Sequence, residues 1–394
     1  MEEYNFPREK VFEYLMDVLS EPTFLIVPEL LLDVKEHLEE ATTDGVIRAL
    51  TTLISTKEPL ALQVLDHVIQ TELAGTEDKR SLFRESSLSS NMIQNYFALT
   101  GSQYLKTIFQ PLIKELTAVE DDLETNSTRI KNKDDIAKNS QAMIQWSTKF
   151  IEAIVNSSKL LPRPIRTVCR YVHRHTLARF SSDPEKESLA RNSISAFLFL
   201  RFLALGLVSQ QYGLIDGVQK KPKLQKNLIR IAKVIQTLSN GNPVVSEGAE
   251  VNEKLTPLGA KFASFVEWIV SEQDLEPAAT AEEGVKLPKE IFESQCAVFI
   301  KFMSNSNYVD TSKTRAALIM KVVPYFIEKT GKYEMDMWPP YLLNLDKMCW
   351  IGTTKDWFTS EHALNLPPNF QKLEKLKKMR SEFRTLNTNV SIQS

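Results

Sequence analysis

Residues 224–240 read LQKNLIRIAKVIQTLSN, and the spacing of the apolar residues in this stretch decides the fold class. Leu224, Leu228, Ile231, Ile235 and Leu238 recur at steps of three and four. On an α-helix that places them on one stripe about 80° wide. A strand would need alternation with a period of two, and such alternation is rare along this chain. Outward from here the helical period repeats. Leu105, Ile108, Phe109, Leu112 and Leu116 make one stripe; Met143, Trp146, Phe150 and Ile154 make another. Ile165, Val168, Cys169 and Val172 make a third, with Pro164 suited to a first helical turn. A later helix is expected to use Ile291, Phe292, Val298, Phe299 and Phe302. Glycine is scarce, at 12 of 394 residues. The fold class is therefore all-α.

Composition narrows the function classes. Hydrophobic residues make up 43% and charged residues 25%, which are globular values. Lys and Arg total 48 against 50 Asp and Glu, a net charge of -2, which excludes a generally basic nucleic-acid coat. No run approaches the roughly 18 uncharged apolar residues of a membrane helix. The opening residues Met1-Glu2-Glu3-Tyr4 are acidic and polar, unlike a signal peptide. Cys169, Cys296 and Cys349 are too few and too far apart for a disulfide framework or a cysteine-rich zinc site. The phosphate-binding G-x-x-x-x-G-K-[ST], the dinucleotide G-x-G-x-x-G, H-E-x-x-H, C-x-x-C and G-x-S-x-G are all missing from the sequence. His173 and His175 are two apart on a helix, so their side chains splay, and they read as surface histidines rather than a metal pair. If the chain serves a catalysed reaction, the chemistry does not come from its own nucleophile, metal or cofactor.

Three polar stretches read as loops: residues 120–138, the Gly241-Asn242-Pro243 tripeptide, and residues 271–284. The last is taken as the main boundary. Residues 371–384 mix six Lys or Arg with Glu374 and Glu382, which reads as a solvated helix face, with a membrane or partner patch as the other reading. Positive charge is concentrated in the middle. Residues 153–182 hold no acid and six basic residues, among them Arg163, Arg166, Arg170, Arg174 and Arg179. Residues 217–246 hold no acid either and include Lys226, Arg230 and Lys233. These are two solvated helix faces or a basic surface that steers an acidic partner.

Three residues stand out. Arg201 is the one charge in residues 196–208, AFLFLRFLALGLV, so part of it is expected to be buried. A buried guanidinium needs partners, either in a structural ion pair or at the carbonyls of a loop that it holds. Arg84 lies in SLFRESSL, residues 81–88, just before an amphipathic helix that Ser86 or Ser87 could cap. Taken by itself it is an ordinary loop arginine. Lys233 falls opposite the Leu224–Leu238 stripe, near Ile229 and Asn240 with Gln236 at the edge. That face is either solvated or open to a partner.

Together these segments resemble the Ras GTPase-activating (RasGAP) domain family, closest to its neurofibromin type. The family's finger loop, L-F-R followed by small polar residues and L-[AS]-S, appears as Leu82-Phe83-Arg84, Glu85-Ser86-Ser87 and Leu88-Ser89-Ser90. Its F-L-R appears as Phe199-Leu200-Arg201, and its K-x-x-Q-x-[LI]-[AS]-N runs from Lys233 through Gln236 to Asn240. Tyr104-Leu105 with Pro111-Leu112, and Leu161-Pro162 with Arg166-Thr167-Val168-Cys169, also look like the family. The resemblance covers residues 72–258. One departure stands out: the family's Pro-Ala four residues after the F-L-R arginine is Leu205-Gly206 here. A proline there kinks and ends the helix, so the local groove geometry is expected to differ. The Rap activators that use an Asn thumb are not resembled.

The resemblance implies a RasGAP-like helical bundle: an N-terminal helical flank over 1–70, a central catalytic domain over 71–284, and a C-terminal helical region over 285–394 packing with the flank. It implies a GTPase activator, not itself the enzyme, that stimulates GTP hydrolysis by a GTP-bound Ras-family GTPase and so down-regulates Ras signalling. Arg84 would be the inserted arginine finger and Arg201 the brace of its loop. Phe83, Leu200, Lys233, Gln236 and Asn240 would bind the GTPase. No cofactor or metal of its own is expected, since GTP and Mg belong to the partner. The expected location is cytoplasmic, at the inner face of the plasma membrane. The alternative is a non-catalytic GTPase-binding scaffold, against which the presence of Arg84 argues.

Overall fold

The computed structural model describes Met16 and residues 40–76, 82–83, 87–119, 121–130, 132, 134–209, 221–271 and 284–303. Arg84, Phe302's side chain, Cys349, the Trp338–Phe358 aromatics and residues 371–384 lie outside the described residues. Every regular element among the described residues is helical. They are α1 (Glu40–Ile54), α2 (Glu58–Gly75), α3 (Leu88–Val119), α4 (Asp134–Val155), α5 (Arg163–Arg179) and α6 (Lys186–Ser195). A π-helical segment (Ala196–Leu203) continues α6 and passes into α7 (Ala204–Val208). Then follow α8 (Pro222–Ser239), α9 (Ala249–Leu255), α10 (Gly259–Val270) and α11 (Lys289–Met303).

Local sequence explains the ends. α2, α5 and α8 each carry a proline in the first turn, where its missing N–H costs nothing. Ser87, one of the two expected candidates, caps α3. The Ser87 N–H donates to Ser90 Oγ at 2.8 Å and the Ser90 N–H to Ser87 Oγ at 3.1 Å, a reciprocal capping box built from two serines. α8 ends where Gly241 turns left-handed, φ +73. The Gly241 N–H reaches the Leu238 carbonyl and the Asn242 N–H the Thr237 carbonyl, closing the last turn in a Schellman motif.

The apolar stripes read from the sequence are buried in α4, α5 and α8. α11 differs. Ile291 and Val298, expected in its core stripe, are exposed, and Cys296 and Phe299 are buried instead. The register of this short helix is set by its packing on α1, which periodicity alone does not fix. The expected 120–138 loop is also shorter, because α4 already begins at Asp134.

The π-helical segment sits at the centre. The Ala204 N–H bonds back to the Phe199 carbonyl, five residues earlier. Its phenylalanines fan out in three directions. Phe197 meets Phe83 at 4.5 Å, Phe199 meets Phe262 of α10 at 4.7 Å, and Phe202 meets Phe97 of α3 at 5.5 Å between centroids. Each such ring, fully buried, contributes about 1.5–3 kcal/mol. Two glycines let these helices close. A Cβ at Gly101 would lie 2.3 Å from Phe202 Cζ, and one at Gly206 would lie 2.8 Å from Leu105 Cδ1. The run Lys186–Val208 is long and apolar enough to cross a membrane, but 67% of its apolar window is buried inside the protein, as in a core helix.

The basic stretch of α5 is occupied structurally. The Arg170 guanidinium donates to the Ile269 and Ser271 carbonyls at the end of α10, both at 3.1 Å. Arg174 Nη2 donates to Asp66 of α2 at 2.7 Å, and Arg179 Nε to the Leu73 carbonyl at 3.1 Å. Arg166 lies over the Trp268 ring. These arginines cap helices and join them; they are not a free basic face. The two histidines are not plain surface residues either. His175 Nε2 is 2.7 Å from Asp66 Oδ1, and His173 faces Glu187 of α6 at 3.9 Å.

Candidate functional site

α2 and α3 flank the loop that holds Arg84, and several bonds close its neck. In the last turn of α2, Glu72 accepts a hydrogen bond from the Ser89 hydroxyl in the first turn of α3, at 2.5 Å. Thr76, already extended at ψ 122, returns its hydroxyl to the Glu72 carbonyl at 2.7 Å. On the other side, Phe83 adopts φ 55, the left-handed region that a non-glycine residue enters at a cost of about 1–3 kcal/mol. Its ring is 2% exposed and lies against Phe197. The side chain of Phe83 thus belongs to the wall beneath the loop rather than to an open surface.

Arg201 approaches from the π-helical segment. Its Nε donates to the Phe83 carbonyl at 3.4 Å. This is a contact of the kind the carbonyl-holding reading expects. Burial pulls the Arg201 pKa below its usual value, and the Glu72 charge opposes that shift. The guanidinium is half-buried and near Glu72. Leu200, its neighbour, is also half-buried.

The second set of residues lies on α8. Lys226, Ile229, Lys233 and Asn240 are exposed and Gln236 is half-buried, at steps of three, four, three and four, so they form one outward stripe. Lys226 and Lys233 make no ion pair among the described residues. Arg230, on the flank, is paired with Glu124 instead. That pair belongs to a buttress under the stripe. Buried Asn227 donates to the Asp121 carbonyl at 2.8 Å and accepts from the Leu123 N–H at 3.2 Å, while Trp146 Nε1 donates to Asp121 Oδ2 at 2.8 Å. The stripe therefore rides on a helix pinned from behind. α8 packs directly on the π-helical segment that carries Leu200 and Arg201.

The structure thus brings Phe83 and Arg201 together at the neck of one loop and places Lys233, Gln236 and Asn240 on one stripe along and just past the adjoining helix, while Leu200 shows no contact at that neck among the described residues. Sequence reading missed Glu72 and Ser89, which close the neck. Ser89 stands within the quoted loop motif, but its partner is 17 residues away and no local signal pairs them.

The family model described as GTPase-activator protein for Ras-like GTPase (RasGAP) matches residues 64–135 and 130–240. Among curated proteins, the chain is similar to a probable Ras GTPase-activating-like protein, ngap, of Dictyostelium discoideum. They are 27% identical over 231 residues, which is 58% of this chain and 25% of the relative. It is 28% identical over 214 residues to the RasGAP-activating-like protein 1 of Mus musculus, covering 50% of this chain and 26% of the relative. With the Ras GTPase-activating protein gap-1 of Caenorhabditis elegans it shares 24% identity over 306 residues, 77% of this chain and 46% of the relative. The chain spans about a quarter of the length of the first two of these relatives and under half of the third. The matched segment contains the loop neck, the π-helical segment and α8, and over residues 64–240 this chain is similar to the RasGAP family.

Proposed function

We propose that this protein accelerates GTP hydrolysis by a GTP-bound Ras-family GTPase and so turns down Ras signalling. The GTPase is the enzyme. It holds GTP and Mg itself, and this chain supplies Arg84 in trans and needs no cofactor of its own. Hydrolysis of the terminal phosphate builds charge on its oxygens in the transition state, and a guanidinium set beside them stabilises that charge. Lys233, Gln236 and Asn240 dock the partner, the lysine drawing in acidic groups. The site of action is cytoplasmic, where the GTPase meets the inner face of the plasma membrane.

The observation that carries this reading is the bond from Arg201 to the Phe83 carbonyl, one residue before Arg84. A half-buried cation bonded to that backbone favours a loop with a positional task over an ordinary surface turn. The test is single-turnover GTP hydrolysis by a panel of purified Ras-family GTPases, with and without this protein. Stimulation of at least one member supports the reading. Binding to a GTP-loaded member without stimulation of any would replace the activator with a GTPase-binding scaffold.

A further inference from the structure

We infer that Arg179 is a second positioning residue for the loop that carries Arg84, acting where the chain leaves α2, while Arg201 acts on Phe83 just before Arg84. The inference rests on the activator reading above. Arg179 is the last residue of α5, and its guanidinium reaches across to the end of α2. Nε donates to the Leu73 carbonyl at 3.1 Å and Nη2 to the Thr76 carbonyl at 3.4 Å. Helix ends leave carbonyls without intrahelical donors and carry partial negative charge, so a cation with two donors fits this place. Thr76 is where the chain leaves the helix and turns extended toward the loop. The planar fork of an arginine spans two carbonyls at once, and its guanidinium lies 5.4 Å from the centroid of the Phe180 ring.

The result is a chain held at two points ahead of Arg84. At the end of α2, Arg179 holds Leu73 and Thr76; next to Arg84, Arg201 holds Phe83; the Glu72–Ser89 bond ties α2 to α3. An arginine that must enter a partner's active site gains rate only if its backbone is set in place beforehand. Arg179 is exposed, so its bonds add little to global stability and their main consequence is local. Arg174 provides the comparison. It joins the same two helices through Asp66, but in mid-helix, ten residues upstream of Thr76.

The experiment compares Arg179→Gln, Arg179→Lys and Arg174→Gln in the full chain, below their melting temperatures. For Arg179→Gln, the maximal stimulated rate at saturating activator should fall about 10- to 100-fold. The half-saturating concentration should stay near wild type, because α8 is untouched. Arg179→Lys should recover part of the loss, and Arg174→Gln should keep the full rate. Hydrogen exchange of the free protein should be faster at residues 76–87 in Arg179→Gln alone. Wild-type rate and exchange in Arg179→Gln, or equal losses in Arg179→Gln and Arg174→Gln, would overturn the inference while leaving the activator reading standing. A wild type that stimulates no GTPase would overturn both.

Discussion

Arg201 Nε lies 3.4 Å from the carbonyl oxygen of Phe83, a bond that joins two residues 118 apart in sequence. Each holds the other in an unfavourable state. Phe83 is kept left-handed by its ring against Phe197 and by this bond at its carbonyl. Arg201 is kept half-buried by having a carbonyl to bond and Glu72 nearby. A strained residue persists only where its surroundings over-determine it. Here the strain sits directly before Arg84.

Arg201→Ala is expected to relax that strain in the wrong direction. The Phe83 carbonyl loses its donor, a loss of about 1–3 kcal/mol for a buried group. Stimulated hydrolysis should fall and the melting temperature should drop by a few degrees, while binding of the GTP-loaded GTPase changes less. Arg201→Lys should restore part of the rate. Full activity together with an unchanged melting temperature would show that the bond positions nothing.

Arg84→Ala separates an activator from a scaffold. An arginine that meets charge developing in the transition state affects turnover more than ground-state binding. The variant should bind GTP-loaded Ras nearly as well as wild type and stimulate hydrolysis less by about a thousandfold or more, the usual worth of such an arginine. Arg84→Lys keeps the charge without the planar fork and should rescue little. Single-turnover hydrolysis beside a binding titration of the same variants decides it. Stimulation by Arg84→Ala equal to wild type would make Arg84 an ordinary surface residue.

Much of this was legible in the sequence, and the gaps have physical causes. The stripes on α4, α5 and α8, the Ser87 cap and the Gly241 stop follow local rules, since each depends on residues a few positions apart. Arg201 announced itself as one charge among twelve apolar neighbours or small residues, and its burial followed. The arginines of α5 did not announce their use. Arg170 and Arg179 cap carbonyls about 100 residues away, and no linear pattern distinguishes a capping arginine from a solvated one. The same holds for the π-helical turn, because periods of 3.6 and 4.4 look alike in a run that is apolar all round.

Lys233 tests the α8 stripe. Lys233→Ala should weaken binding of the GTP-loaded GTPase with the fold intact, because the side chain is exposed and makes no ion pair among the described residues. Lys233→Glu should be worse, and Lys226→Glu should weaken binding in the same direction. The wild-type association rate should fall as salt rises, since exposed charges are screened over about 10 Å at 0.1 M. Stopped-flow association at two ionic strengths is the measurement. Unaltered affinity in all three variants would place the docking surface elsewhere.

The two glycines at the centre make a last and sharper comparison, because replacing each by alanine should give different results. Both lie in helices, where alanine is favoured over glycine by about 1 kcal/mol. At Gly101 the new methyl would meet the Phe202 ring at 2.3 and 2.7 Å and Ile165 Cδ1 at 2.8 Å. The ring is fully buried and packed on Phe97, so it has nowhere to move. Gly101→Ala should therefore destabilise by about 1–3 kcal/mol or more even after the helix gain. At Gly206, in the Leu205-Gly206 pair that departs from the family's Pro-Ala, the methyl would meet Leu105 first, its Cδ1 at 2.8 Å and Cδ2 at 3.4 Å. A leucine end can change rotamer, so clash and helix gain nearly cancel, and Gly206→Ala should stay within about 1 kcal/mol of wild type. Urea unfolding with an unchanged m-value reads both. If Gly206→Ala costs as much as Gly101→Ala, Leu105 is locked and the glycine is required there. If Gly101→Ala matches wild type, Phe202 is not seated against α3 as the structure has it.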